Sequence, residues 1–261
     1  VGYVDRALVA VPPDLQPYQS RNLSLALTAL AQIEEGVRDA IHTYGVERIG
    51  VIVGSSTSGI ESGIDALNVH RSTQKFPETY DFRCQEIGGV SRSIAAYYGL
   101  EGPNYTISTA CSSGAKALVS GRRLIQSGLC DVVIVGAVDS ITRMTLNGFH
   151  SLGALSTELC RPFDEHRCGI NIGEGAAFFL MTKAEGPVLL MGAGESCDGY
   201  NMTTPHPEGA GAILAMERAL ADAQLRAEQI DYVNLHGTAT RLNDEMEAKA
   251  LVKVFSHNPY C

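Results

Sequence analysis

A chain of 261 residues, 45% of them apolar and 19% charged, is long enough to bury one large core or two smaller ones. Its net charge of −9 excludes a general nucleic-acid-binding surface, which needs an excess of Lys and Arg, but leaves room for a local basic patch. No apolar run is long enough to span a bilayer and no secretion signal opens the chain, while seven scattered cysteines, at 84, 111, 130, 160, 168, 197 and 261, form no Cys-x-x-Cys pair; this fits a reducing cytoplasm and argues against a disulfide framework or a structural zinc site.

Residues 20–44 carry Leu23, Leu27, Leu30, Ile33, Val37 and Ile41 close to helical spacing, which predicts one helix stopped at Gly45. Residues 49–53 then read as a buried strand, followed by a small polar turn at 55–59. That turn is no phosphate loop, because Ile60 stands where the Walker pattern requires Lys, and it reads as a loop bordering a pocket. A helix over 87–98 leads to the Gly102-Pro103 turn, which launches an apolar strand ending at Cys111. The helix after Cys111 is expected to end at Gly128, and the β-branched run 131–135 suits a central strand. Residues 173–182 and 188–192 are expected as further strands, 212–223 as an amphipathic helix, and 231–235 as a short buried strand.

Two positions stand out for chemistry. Cys111 sits where a strand gives way to a helix, so unpaired backbone N–H groups and the positive helix end favour its thiolate. The residues after it, Ser112, Ser113, Gly114 and Ala115, are small enough to let an acyl group approach the sulfur. His236 is delivered by the 231–235 run into the turn Gly237-Thr238-Ala239-Thr240. In α/β proteins ligands bind beyond the carboxyl ends of parallel strands, where both side chains are expected, so the two could share a site.

With these residues in view, three segments carry a resemblance: Ser108-Thr109-Ala110-Cys111-Ser112-Ser113-Gly114; Arg161-Pro162-Phe163-Asp164 with Arg167, Gly169 and Gly173-Glu174-Gly175-Ala176; and His236-Gly237-Thr238-Ala239-Thr240 with Asn243, Asp244 and Glu247. In this order and spacing they resemble the elongating β-ketoacyl-acyl carrier protein synthases, condensing enzymes of the thiolase superfamily. The resemblance implies an α/β thiolase-like fold, with duplicated α/β/α layered halves and mixed five-stranded sheets, incomplete here. It divides the chain into an N-terminal half with inserted loops at 1–185 and the beginning of a C-terminal half at 186–261, with Cys111 and His236 meeting at the seam near Gly186. The family's Ser-Ser-Thr-Lys segment, second catalytic histidine and Gly-Phe-Gly turn are not found. The terminal His257-Asn258-Pro259-Tyr260-Cys261 resembles the stretch before that lysine, and the chain is therefore expected to be a fragment of a longer enzyme.

The implied reaction is acyl transfer from the phosphopantetheine arm of an acyl carrier protein to Cys111. Decarboxylative condensation with malonyl-carrier follows, with His236 donating to the enolate oxygen and the Cys111 N–H serving the oxyanion hole. No metal and no cofactor of the enzyme's own is implied. The resemblance places Thr238 and Thr240 on the pantetheine arm, with turn chemistry alone as the alternative, and Phe149 in the acyl pocket or, equally, in the core. Asp164 and Glu174 are expected, with Arg161 and Arg167, in an internal charge network beside the site. Asp244 and Glu247 read first as a capping box opening the last helix, with Glu247 also a support to the site.

Cys168, Ile170 and Asn171 depart from the residues usual after the second arginine. Residues 136–152 resemble the condensing enzymes of bacterial aryl-polyene or polyketide clusters more than those of housekeeping fatty-acid synthesis. The implied partners are an acyl carrier protein, met by a local Lys/Arg patch, and a second ketosynthase-like chain. That second chain would be a homodimer mate or a heterodimeric subunit, paired through the strand at 104–108, whose run reads as apolar and buried. Two alternatives stay open: a non-catalytic chain-length-factor-like subunit, and a thiolase acting on coenzyme A thioesters.

Overall fold

In the computed structural model, which describes residues 1–255, 259 and 260, the first α-helix opens on Ser20, whose Oγ accepts the Leu23 N–H at 3.2 Å. Helix α1 spans Arg21–Leu30 and α2 spans Glu34–Tyr44, so the single helix expected over 20–44 is two. The break is a tight turn in which Gln32 and Ile33 donate to the carbonyls of Ala29 and Leu30. Ile33 still packs on the same core as Leu30 and Val37. Apolar spacing records which face is buried, not whether the backbone ladder is continuous. Gly45 ends α2 as expected, at φ +81°.

The remaining elements of the first compact unit, residues 1–147 with 172–184, follow in chain order. They are β1 (Ile49–Gly54), α3 (Ile60–Thr73), α4 (Gly89–Tyr98), β2 (Asn104–Ile107), α5 (Ser113–Gln126), β3 (Val132–Asp139), α6 (Arg143–Ser151), in which the unit boundary falls, and β4 (Gly175–Thr182). The strands form one mixed sheet in the order β2-β1-β3-β4, with β1 parallel to β2 and β3, and β4 antiparallel to β3. Four strands are present among the described residues, against the five implied.

Alternation along β1 and β3 builds the layers. Ile49, Val51, Val53, Val132 and Ile134 face a cluster formed with Leu25, Ala26 and Leu30 of α1, Val37 of α2 and Ile94 of α4. Ile52, Val133 and Val135 face the other way, onto Ala117 and Ile125 of α5. A strand covered on both faces needs a nearly unbroken apolar run, which is why these two strands are readable from sequence. Each buried Val, Leu or Ile contributes about 1.5–3 kcal/mol. Strand β2 differs, because it is a sheet edge whose Asn104 and Tyr105 are exposed. The buried apolar character expected of 104–108 is therefore wrong; its alternation of Asn104, Thr106 and Ser108 with Tyr105 and Ile107 suits a half-covered edge.

An ion pair ties α1 to the start of β4. The Glu174 carboxylate, fully buried, accepts Arg21 Nε at 2.9 Å, the Val4 N–H at 3.0 Å and the Ile141 N–H at 3.4 Å. Burial pushes the Glu174 pKa up, but the donors from Arg21, Val4 and Ile141 outweigh it, and the net direction is down from 4.5. A lowered folded-state value stabilises the fold above the unfolded value, and that stabilisation is lost as pH falls through the folded one. Thermal unfolding followed against pH should therefore show a midpoint that drops on acidification below about 4.5, and Glu174→Gln should flatten that drop. At neutral pH the same variant should lose up to about 3 kcal/mol, the low end for breaking a buried pair, because Arg21 remains partly solvated.

The second compact unit comprises residues 148–171 and 185–261. It contains α7 (Ala210–Ala223) and α8 (Arg241–Val254). The expected strand at 188–192 is not formed: the segment runs without a ladder, Val188 and Leu189 are exposed, and Ala193 N–H donates to Asp222 of α7 at 2.8 Å. The expected buried strand at 231–235 is reduced to one bridge, Tyr232 to Tyr260, and Tyr232 is exposed. Both runs have strand-like composition, but a strand needs a neighbour to share its ladder, and among the described residues neither run has more than that bridge. His257, Asn258 and Cys261 of the terminal stretch lie outside the described residues.

No helix among the described residues is long and apolar enough to cross a membrane.

Candidate active site

In the first unit, the chain leaves β2 and enters α5 through a turn that carries Cys111, which is exposed. Ala110 adopts φ +54°, a left-handed conformation that costs a residue with a Cβ about 1–2 kcal/mol. Its carbonyl accepts three hydrogen bonds, from Ser113 N–H at 3.0 Å, Ser113 Oγ at 2.6 Å and Ser56 Oγ at 3.2 Å. Ser113 Oγ also accepts the Thr109 N–H at 2.9 Å, so one buried residue's hydroxyl closes the turn on both sides. Gly54, at the end of β1, makes room for this arrangement, since a Cβ there would lie 2.5 Å from the Ser113 carbonyl carbon.

A carboxylate that sequence reading missed anchors the neighbouring loop. Asp139, the last residue of β3, accepts on one oxygen from Ser56 N–H at 2.7 Å, Thr57 N–H at 2.9 Å, Thr57 Oγ at 2.9 Å and Ser55 Oγ at 3.3 Å. The signal available beforehand was an acidic residue closing a buried apolar run, at the carboxyl end where ligands gather. The 55–59 turn thus borders the Cys111 turn, since Ser56 touches Ala110.

In the second unit, His236 begins a loop held by Glu247 from α8. The Glu247 carboxylate accepts the His236 N–H at 2.6 Å and the Gly237 N–H at 3.0 Å. Thr238 and Thr240 pair through their hydroxyls at 2.8 Å, and Gly237 takes φ +54°. The capping-box reading is wrong, because α8 already starts at Arg241, a turn ahead of Asp244. Asp244 is buried and accepts the Phe163 N–H at 2.8 Å, with Arg167 Nε 3.5 Å away. The Ala239 carbonyl accepts the Gly169 N–H at 3.0 Å. The 161–169 and 236–247 motifs are therefore stitched together, although they lie far apart in the chain.

The expected four-residue charge network is not present. Arg167 pairs with Asp244 and Glu245, Asp164 Oδ1 accepts the His166 N–H at 2.7 Å, and Glu174 is taken by Arg21 in the other unit. A shared motif groups these charges in the sequence, whereas Arg167, Asp164 and Glu174 each pair with groups that their own unit brings within reach. Phe149 is half-buried on α6. Among the described residues no group of three or more His, Cys, Asp or Glu could hold a metal ion.

The sequence matches the β-ketoacyl synthase N-terminal domain over residues 3–186 and the β-ketoacyl synthase C-terminal domain over residues 188–260. The chain belongs to the β-ketoacyl synthase family. It is 35% identical to the chloroplastic 3-oxoacyl-[acyl-carrier-protein] synthase II of Arabidopsis thaliana, over 95% of this chain and 49% of that protein. It is 33% identical to 3-oxoacyl-[acyl-carrier-protein] synthase 2 of Coxiella burnetii, over 87% of this chain and 60% of that one. Among solved structures it is similar to a chain in the complex of a ketosynthase with its chain length factor from Xenorhabdus doucetiae, at 46% identity and a TM-score of 0.94, covering 98% of this chain and 65% of that one. The chain thus spans about half to three-fifths of the length of these curated relatives. The fold is thiolase-like, as the family resemblance implied.

Proposed function

We propose that this ketosynthase-family chain forms the nucleophile-bearing part of an enzyme that condenses malonyl-carrier with an acyl group held on Cys111. The observation that carries the reading is the Cys111 turn, an exposed thiol side chain after a left-handed alanine at the start of α5. An acyl group passes from the phosphopantetheine thioester of an acyl carrier protein to the Cys111 sulfur, and the carrier thiol leaves. Malonyl-carrier then loses carbon dioxide, its enolate carbon attacks the acyl-cysteine, and a β-ketoacyl-carrier two carbons longer departs.

Each residue type suits its step. A thiolate exchanges a thioester near neutral pH without a metal. The tetrahedral oxyanion is met by the Cys111 N–H, and the enolate oxygen by an N–H of His236, a kind of donor typically worth about 3–4 kcal/mol. Glu247 fixes the backbone that carries His236, while Thr238, Thr240 and Phe149 are assigned to the pantetheine arm and acyl chain. An acidic carrier calls for a local Lys/Arg patch at the pocket mouth. The exposed edge of β2 suits pairing with a second ketosynthase-like chain, either another copy or a chain-length factor.

Kinship with a ketosynthase and chain length factor complex gives one further reading, a non-catalytic partner subunit. Retention of Cys111 and His236 favours the catalytic one. The test is product formation by the full-length protein from malonyl-carrier and an acyl-carrier primer, compared with acetyl-CoA alone. Carrier-dependent β-ketoacyl product is expected. Substantial product from acetyl-CoA alone would indicate a thiolase, and product only on adding a catalytic partner would indicate the subunit.

A further inference from the structure

We infer that Asp139 and Ser56 are positioning residues for the peptide group that joins Ala110 to Cys111. The inference rests on the acyl-transfer reading and adds to it two residues that neither the sequence motifs nor the family match assigned.

The carbonyl and the N–H of one peptide unit are rigidly coupled, because the bond between them is planar. The Ala110 carbonyl belongs to the same unit as the Cys111 N–H, so whatever fixes the carbonyl aims the N–H. Ser113 supplies two of the donors to that carbonyl from within the turn, and Ser56 Oγ supplies the third from outside it, at 3.2 Å. Ser56 is held in turn by Asp139, which accepts its N–H at 2.7 Å and binds Ser55 and Thr57 on either side. Thr57 Oγ also accepts the Ser140 N–H at 3.0 Å, which closes the loop back onto the residue after Asp139.

The chain of contacts therefore runs from the end of β3, through the 55–57 loop, to the peptide preceding the sulfur. Hydrogen bonds to a carbonyl also polarise its amide and strengthen the N–H as a donor. The turn needs such support, since the left-handed Ala110 conformation is intrinsically unfavourable. A carboxylate distant from Cys111 in sequence thus sets the direction and strength of the donor that meets the thioester oxygen.

The test separates acyl transfer, which develops an oxyanion, from alkylation, which does not. Ser56→Ala and Asp139→Asn are made in the full-length protein, with folding checked by circular dichroism. Single-turnover acylation of Cys111 by an acyl N-acetylcysteamine thioester is followed by intact mass, beside its alkylation by iodoacetamide. Acylation should slow about 3–10-fold in Ser56→Ala and about 10–100-fold in Asp139→Asn, as for a small misplacement of a reacting group. Alkylation should stay within about twofold of wild type, and the double variant should be no slower than Asp139→Asn, since both residues act through one peptide. Unchanged acylation, or acylation and alkylation falling together, would overturn the inference alone. A wild type that is alkylated at Cys111 but takes no acyl group would overturn the acyl-transfer reading, and this inference with it.

Discussion

Cys111→Ala is expected to leave the full-length protein folded and unable to take an acyl group. Removing a nucleophile from a covalent mechanism typically lowers turnover on the order of 10⁶-fold, because no neighbouring group can replace the bond it forms. Folding should survive, since the side chain is exposed and the turn is closed by Ser113 and Ser56 through the Ala110 carbonyl. Intact mass after incubation with an acyl-carrier donor reads the result directly: one acyl adduct on wild type and none on the variant. An adduct of equal yield on Cys111→Ala would place the nucleophile elsewhere.

His236→Ala is expected to separate the two stages. Acylation of Cys111 should continue, because the thiolate and the Cys111 N–H serve that step, whereas condensation should fall about 10²–10³-fold with the loss of one donor to the enolate. His236→Asn, which restores an N–H of similar reach, should recover part of the rate. Release of carbon dioxide from malonyl-carrier, measured on pre-acylated protein, distinguishes the stages. Equal loss in both would assign His236 a structural role in the loop that Glu247 holds.

The parts of the fold that are legible in the sequence are those whose pattern is local. β1 and β3 can be read because strands buried on both faces require continuous apolar runs, and Gly45 because a left-handed helix stop favours glycine. Cys111 and His236 stand out through their small and polar neighbours. What stays hidden depends on distant partners. Arg21 and Glu174 find each other across 153 residues, and Asp139 gathers Ser55, Ser56 and Thr57 from the far end of another strand's connection. The role of Glu247 is obscured by a local pattern, since its spacing from Asp244 imitates a capping box while α8 already begins at Arg241. The 188–192 and 231–235 runs carry strand composition, but composition does not record whether a neighbouring strand is there to complete the ladder.

The proposed condensation requires the Cys111 sulfur and the His236 imidazole to act on one thioester. A crystal structure of the full-length protein acylated on Cys111 tests it most directly. The expected result is an imidazole N–H of His236 within about 3 Å of the oxygen position it is to stabilise. An imidazole facing a separate cavity, or screened from the acyl-cysteine by intervening side chains, would contradict it.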